Sequence, residues 1–139
     1  MAEMGLMDFV KEAKSRINEV DVDTAEQLIN DEGYRVLDIR EHEEYEAGTI
    51  GQSLHVPRGL LEAAADRNFP DANPALRDSR DEKWLVLCAS GGRAAMATNR
   101  LQMMGFESVI NVEGGITAWK GAGKPMTQPN LENNPYIKK

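Results

Sequence analysis

At 139 residues with 41% apolar side chains, the chain can build one domain around a real core and is too short for two. Sixteen Lys and Arg against 23 Asp and Glu leave a net charge of −7, which argues against a nucleic-acid face or adhesion to anionic lipid. A single cysteine rules out an internal disulfide framework, no stretch reaches membrane-spanning length, and the N-terminus lacks a signal-peptide pattern, so a cytoplasmic protein is expected.

Leu6, Phe9, Val10, Ala13, Ile17 and Val20 recur at three- and four-residue steps and predict an amphipathic helix within residues 1–20, packed on the domain that follows. "VDVDTAEQLINDEG" reads as a short extended piece, then a helix capped by Asp23 or Thr24 and stopped near Gly33. "YRVLDI", Tyr34 to Ile39, has the β-branched and aromatic content of a buried strand. "REHEEYEAG" is a polar helix ending at Gly48, "SLHVP" an extended run closed by Pro57, and a helix is expected around Leu60 to Asp66. "DRNFPDANPALRDSRDEK" reads as a long surface excursion. "WLVLC", Trp84 to Cys88, is the continuous apolar run of a central parallel strand. A helix from Gly92 to Met104 shows Ala94, Ala97, Leu101 and Met104 on one face and stops at Gly105. "SVINV" is another strand, "GGITAWKGAGKP" a short helix with glycine breaks, and residues 126–139 a polar tail that wraps the surface or stays loose.

Strands alternating with helices predict an α/β fold: a central parallel sheet covered by helices on both faces. Ligands bind such sheets beyond the carboxyl ends of the strands, and Cys88 sits at that end of the most hydrophobic strand.

The loop "CASGGR" must turn from that strand into a helix within about four residues. Gly91 and Gly92 permit positive φ and leave no side chain over the thiol. Amides of a tight turn ahead of a helix form a nest for an anion, the helix terminus adds partial positive charge, and Arg93 adds a full one. Taken alone, a single buried cysteine is more often inert. The glycines and the arginine instead point to a thiolate nucleophile, or to a cradle for an anionic substrate.

Cys88, Gly91, Arg93, Ala97, Leu101, Gly105, Phe106, Val109, Gly114, Gly115 and Trp119 fall at the spacing seen in rhodanese domains. Upstream, "VLDIREHEEYEAGTIGQSLHVPRG" is similar to their D-x-R … E-[FY] … G-H-I-x-G-A … I-P segment. The resemblance covers a domain at residues 21–125 and implies a single-domain rhodanese-like sulfurtransferase with a parallel sheet of about five strands. It implies that Cys88 accepts sulfane sulfur as a persulfide. The amides of Ala89, Ser90, Gly91, Gly92 and Arg93 would cradle that sulfur, and Arg93 would help hold the anionic donor. Asp38 and Arg40 match a family pair read as structural support beneath the site, and Trp119 is read as a core residue. Arg58 either faces the site and attracts a dianion or stands in solvent. Thr49 occupies a position where the family usually has His, and Ala94 one where Ser often follows the arginine; both are read as structural.

His42 and His55 have no ligand partner at useful spacing, so no metal is assigned, and no cofactor is implied. The partners implied are a small anionic sulfur donor such as thiosulfate and an external thiol or cyanide acceptor. A sulfur-relay protein is an alternative acceptor; with no second cysteine to resolve the persulfide internally, the acceptor is external. Two rivals remain. A non-catalytic rhodanese module would bind protein partners. A cysteine phosphatase would use a C-x5-R loop, one residue longer than the C-x4-R found here.

Overall fold

Strands rich in Val, Leu and Ile meet in one five-stranded, all-parallel sheet of order β1-β5-β4-β2-β3 in the computed structural model, which describes residues 2–137. The strands are β1 (Glu19–Val20), β2 (Arg35–Asp38), β3 (Leu54–His55), β4 (Lys83–Leu87) and β5 (Ser108–Val112). The helices are α1 (Leu6–Lys14), α2 (Val22–Asp31), α3 (His42–Glu46), α4 (Leu61–Ala65), α5 (Pro74–Arg77), α6 (Gly92–Met103) and α7 (Gly115–Gly121), with a 3-10 turn over Arg58–Leu60. No helix among the described residues is long and apolar enough to cross a membrane.

The period-two alternation of the strands divides the core in two. Leu37, Trp84, Val86 and Val109 face a layer supplied by Leu61 and Ala64 of α4, Leu76 of α5, and Ala97 and Leu101 of α6. Val36, Leu85, Leu87 and Val112 face the opposite layer, with Ala25 of α2 and Ile116 and Trp119 of α7. Thus α6 leaves β4 toward one face and α7 leaves β5 toward the other. The point where those connections part is where parallel sheets generally place ligands.

Four expectations change in detail. The first helix ends at Lys14 rather than reaching Val20, because Asn18 and Val20 are taken up by the sheet: their carbonyls accept from the Asn111 and Glu113 amides at 3.0 and 2.9 Å. Only Val10 and Ala13 of that helix are buried, while Leu6 and Phe9 stay 66% and 49% exposed. The cap of α2 is Asp21, whose carboxylate accepts from the Thr24 amide at 2.8 Å; Asp23 and Thr24 lie inside the helix. The excursion before β4 is anchored: α5 drives Leu76 into the core, and Arg80 donates to the carbonyls of Ala65, Arg77 and Met104.

The tail is tied down over its described part. Thr127 exchanges two 2.8 Å backbone bonds with Thr49, and the Trp119 indole donates to the Pro125 carbonyl at 2.8 Å. Further on, Asn134 reaches His55, which is buried and stacked on Tyr45 at 4.2 Å. With the Asn134 amide donating to Nδ1 at 3.1 Å, Nε2–H of a neutral ring donates to the Arg40 carbonyl at 2.9 Å. Burial pushes the His55 pKa below its ordinary value. The unfolded chain therefore takes up a proton near pH 6.5 that the folded chain refuses. His55 stabilises the fold fully above that pH, and its contribution is lost as pH falls below it. Thermal melts should accordingly drop by a few degrees between pH 7 and 5.5, and His55→Gln should flatten that slope; equal slopes in the two proteins would refute the assignment.

Candidate active site

β4 delivers Cys88 to the carboxyl edge of the sheet, where the residue is 1% exposed. Gly91 then caps α6 at φ +98°, a conformation that L side chains rarely adopt. A Cβ at Gly91 would stand 3.2 Å from the Gly114 amide nitrogen, so the loop also needs a bare backbone where it crosses the β5–α7 turn. Through this turn two amides aim at the sulfur: Gly91 N–H donates to Sγ at 3.0 Å and Ala94 N–H at 3.3 Å. Both bring the positive ends of peptide dipoles to one atom, an arrangement suited to a negatively charged sulfur.

The back of the loop is held by α7. Its amides at Ile116 and Thr117 donate to the Cys88 and Ala89 carbonyls at 2.9 and 3.0 Å. The carbonyls are thereby drawn to the rear while amides line the front. Asn111, fully buried on β5, donates to the Gly91 carbonyl at 3.2 Å and to Glu19 at 2.7 Å, tying the loop to β1.

Asp38 and Arg40 form a buried pair next to the loop. The guanidinium binds the carboxylate through Nε at 3.0 Å and Nη2 at 2.9 Å, and Nη2 also donates to the Gly48 carbonyl. Thr49 completes the shell by donating its hydroxyl to Asp38 at 2.7 Å. Every charge in this group is partnered, as burial demands. The pair closes the turn from β2 through α3.

That turn presents a residue to which the sequence reading gave no role. Glu44 lies across the loop from Arg93 and binds both arms of its guanidinium, each at 3.1 Å. The Arg93 guanidinium holds the Glu44 carboxyl below the usual carboxylate range, and the Glu41 amide adds to this. Arg93 therefore meets a ligand as half of an ion pair, not as a free cation. Arg58 is not brought to the loop. It binds Glu62 at 2.8 Å and faces a groove between α1 and α6 with Phe9 and Arg100.

Besides Glu44, Asn111 is a residue of the site to which the sequence reading assigns no role. Asn111 had a visible signal, a polar side chain inside the apolar run "SVINV". For Glu44 the only hint was its place in the E-[FY] motif, since its partner is 49 residues away.

Most of the chain is similar to known proteins. Residues 21–122 match the family described as Rhodanese-like domain. "Putative sulfurtransferase YtwF" of Bacillus subtilis is 34% identical over 100 residues, covering 72% of this chain and 86% of that protein. "Putative sulfur carrier protein YrkF" of the same organism is 34% identical over 111 residues, which are 79% of this chain and only 55% of that longer protein. Among solved structures, the Rhodopseudomonas palustris protein RPA3614, described as of unknown function and a possible tyrosine phosphatase, superposes with a TM-score of 0.83 at 33% identity. That match covers 91% of this chain and 97% of the other.

Proposed function

The chain belongs to the rhodanese-like family, and from that premise we propose that it is a sulfurtransferase whose Cys88 carries sulfane sulfur as a persulfide. The observation that carries this reading is the pair of amides, Gly91 and Ala94, aimed at Sγ from a loop that ends in Arg93. The thiolate attacks the outer sulfur of thiosulfate or a related donor. A Cys88–sulfur bond forms, the donor's S–S bond breaks, and sulfite leaves with the electron pair. The terminal persulfide sulfur inherits the negative charge, and the amides of Ala89 to Arg93 surround it. An external thiol or cyanide then takes that sulfur and returns the thiolate. Because the intermediate is covalent, the kinetics are ping-pong. Asp38 and Arg40 act as support, fixing the turn that carries Glu44 against Arg93. A thiol used this way suits a reducing, cytoplasmic setting.

The similarity to a possible tyrosine phosphatase gives the rival reading its weight. Six residues from Cys88 to Arg93 make a ring one residue shorter than the C-x5-R loop of cysteine phosphatases. A shorter ring offers one amide fewer and a narrower mouth. It accommodates a single sulfur atom better than a phosphoryl group, whose oxygens each need donors at about 3 Å. A purely protein-binding module would have no use for the intact nucleophile and its amides.

Intact-mass measurement after incubation with thiosulfate tests the proposal. The protein should gain one sulfur atom, then lose it to cyanide with release of thiocyanate, and an aryl phosphate should stay unhydrolysed. Brisk phosphate hydrolysis without any sulfur gain would replace the sulfurtransferase with a phosphatase.

A further inference from the structure

Two of the chain's three phenylalanines stand in water, Phe9 at 49% and Phe69 at 46% exposure, and neither belongs to the Cys88 loop. Phe9 lines the groove between α1 and α6, a cavity of about 560 Å³. Ala13, Met96 and Met103 extend its apolar lining, and Met103 is itself 69% exposed. Arg16, Arg58 and Arg100 line it as well. Glu12 lies 3.7 Å from Arg16, while Glu62 serves both Arg58 at 2.8 Å and Arg100 at 3.4 Å. Three guanidiniums against two carboxylates leave one positive charge in surplus, on a chain of net charge −7. Such a groove suits an apolar side chain carried between acids.

The other exposed phenylalanine has that character. Residues 67–71 are exposed throughout, so the loop between α4 and α5 projects with Phe69 at its middle. The loop is also held in shape. The Ala72 amide donates to the Phe69 carbonyl at 3.0 Å, closing a turn over Pro70, whose ring fixes φ. Ahead of the turn, the Asn68 amide donates to the Asp66 carboxylate at 3.0 Å. A loop already ordered loses little conformational freedom when it docks. Asp66 and Asp71 flank Phe69 against the single Arg67, leaving one negative charge in surplus. Loop and groove therefore match in apolar character and oppose in charge.

We propose that the groove between α1 and α6 seats the Phe69 loop of a second copy of this chain. Phe69 enters against Phe9, Met96 and Met103, while Asp66 and Asp71 meet the arginines. Each copy carries both halves, so the contact either closes reciprocally into a dimer or repeats head to tail. One loop in one groove makes a small interface, below about 1,200 Å² in total, and a reversible one, with Kd on the order of 100 μM. The association stands apart from the sulfur chemistry, because neither surface contains Cys88 or a residue of its loop.

Sedimentation velocity of the full chain tests this. From about tenfold below that Kd to about tenfold above it, the weight-average mass should climb from the monomer toward at least twice that value. Phe69→Ser and, separately, Arg100→Glu/Met103→Ser should each hold the mass at the monomer throughout. All three positions are exposed, so the fold is retained, and thermal melts check that it is. Phe69→Leu keeps an apolar tip and should keep the association. The Phe69→Ser protein still has a groove and the groove variant still has a loop, so an equal mixture of the two should form 1:1 pairs. In that mixture, isotope-labelled Phe69→Ser protein should show amide shifts concentrated in residues 9–16 and 96–103. A wild-type mass fixed at the monomer would overturn the proposal, and so would a mixture that stays monomeric. Association lost in the groove variant but kept in Phe69→Ser would seat a different segment in the groove and equally overturn it.

Discussion

Cys88→Ser is expected to abolish sulfur transfer, with turnover falling by on the order of a thousandfold or more, while the fold remains. A serine oxygen does not form the persulfide on which both half-reactions depend, and no other cysteine stands in the chain to replace it. The structural change is small. Serine keeps an acceptor for the Gly91 and Ala94 amides that now reach Sγ at 3.0 and 3.3 Å, so at most about 1 kcal/mol of hydrogen bonding changes. Parallel assays of thiocyanate production and thermal melting check both halves. Retained turnover in a folded Cys88→Ser protein would remove Cys88 from the chemistry.

The largest effect on stability is expected at Gly115→Ala. Gly115 adopts φ +57° at the start of α7, where its bare Cα lies against the loop. A methyl group there would collide with the Cys88 carbonyl oxygen and stand 2.7 Å from that of Ala89. Neither atom can yield, because both carbonyls belong to the backbone that the Ile116 and Thr117 amides hold in place. Left-handed strain and overpacking together should cost about 3 kcal/mol, lowering Tm by about 10 °C. Whatever protein remains folded should also lose sulfur-transfer rate, since the loop must shift to make room. Gly121→Ala is the control within the same helix: nothing lies within 4 Å of its added methyl, and its stability should be unchanged or slightly raised. Equal melting temperatures for the two variants would contradict the account of how α7 backs the loop.

Much of the site could be read before any coordinates. The run "WLVLC" announces a buried central strand because a parallel strand covered on both faces has no polar side to show. "SGGR" announces a turn with positive φ and a helix start, and both occur at Gly91. Less legible were the ends of elements. Val20 fits the helical periodicity of its neighbours, yet pairing with Val112 on the sheet edge outweighs a further helical turn. The excursion around Leu76 looked superficial because its charged flanks mask a single apolar anchor.

By itself, the sequence determined the α/β class, the all-parallel sheet and the placement of Cys88 at a strand's carboxyl end, because these rest on local periodicity and on short-range backbone preferences. Only the tertiary structure decided what surrounds the thiol's loop. Glu44 reaches Arg93 across 49 residues of chain, Asn111 grips Gly91 from a neighbouring strand, and α1 brings Leu6 and Met7 to the loop's flank. None of these approaches leaves a mark in local spacing, because each depends on how helices and strands distant in sequence settle against one another.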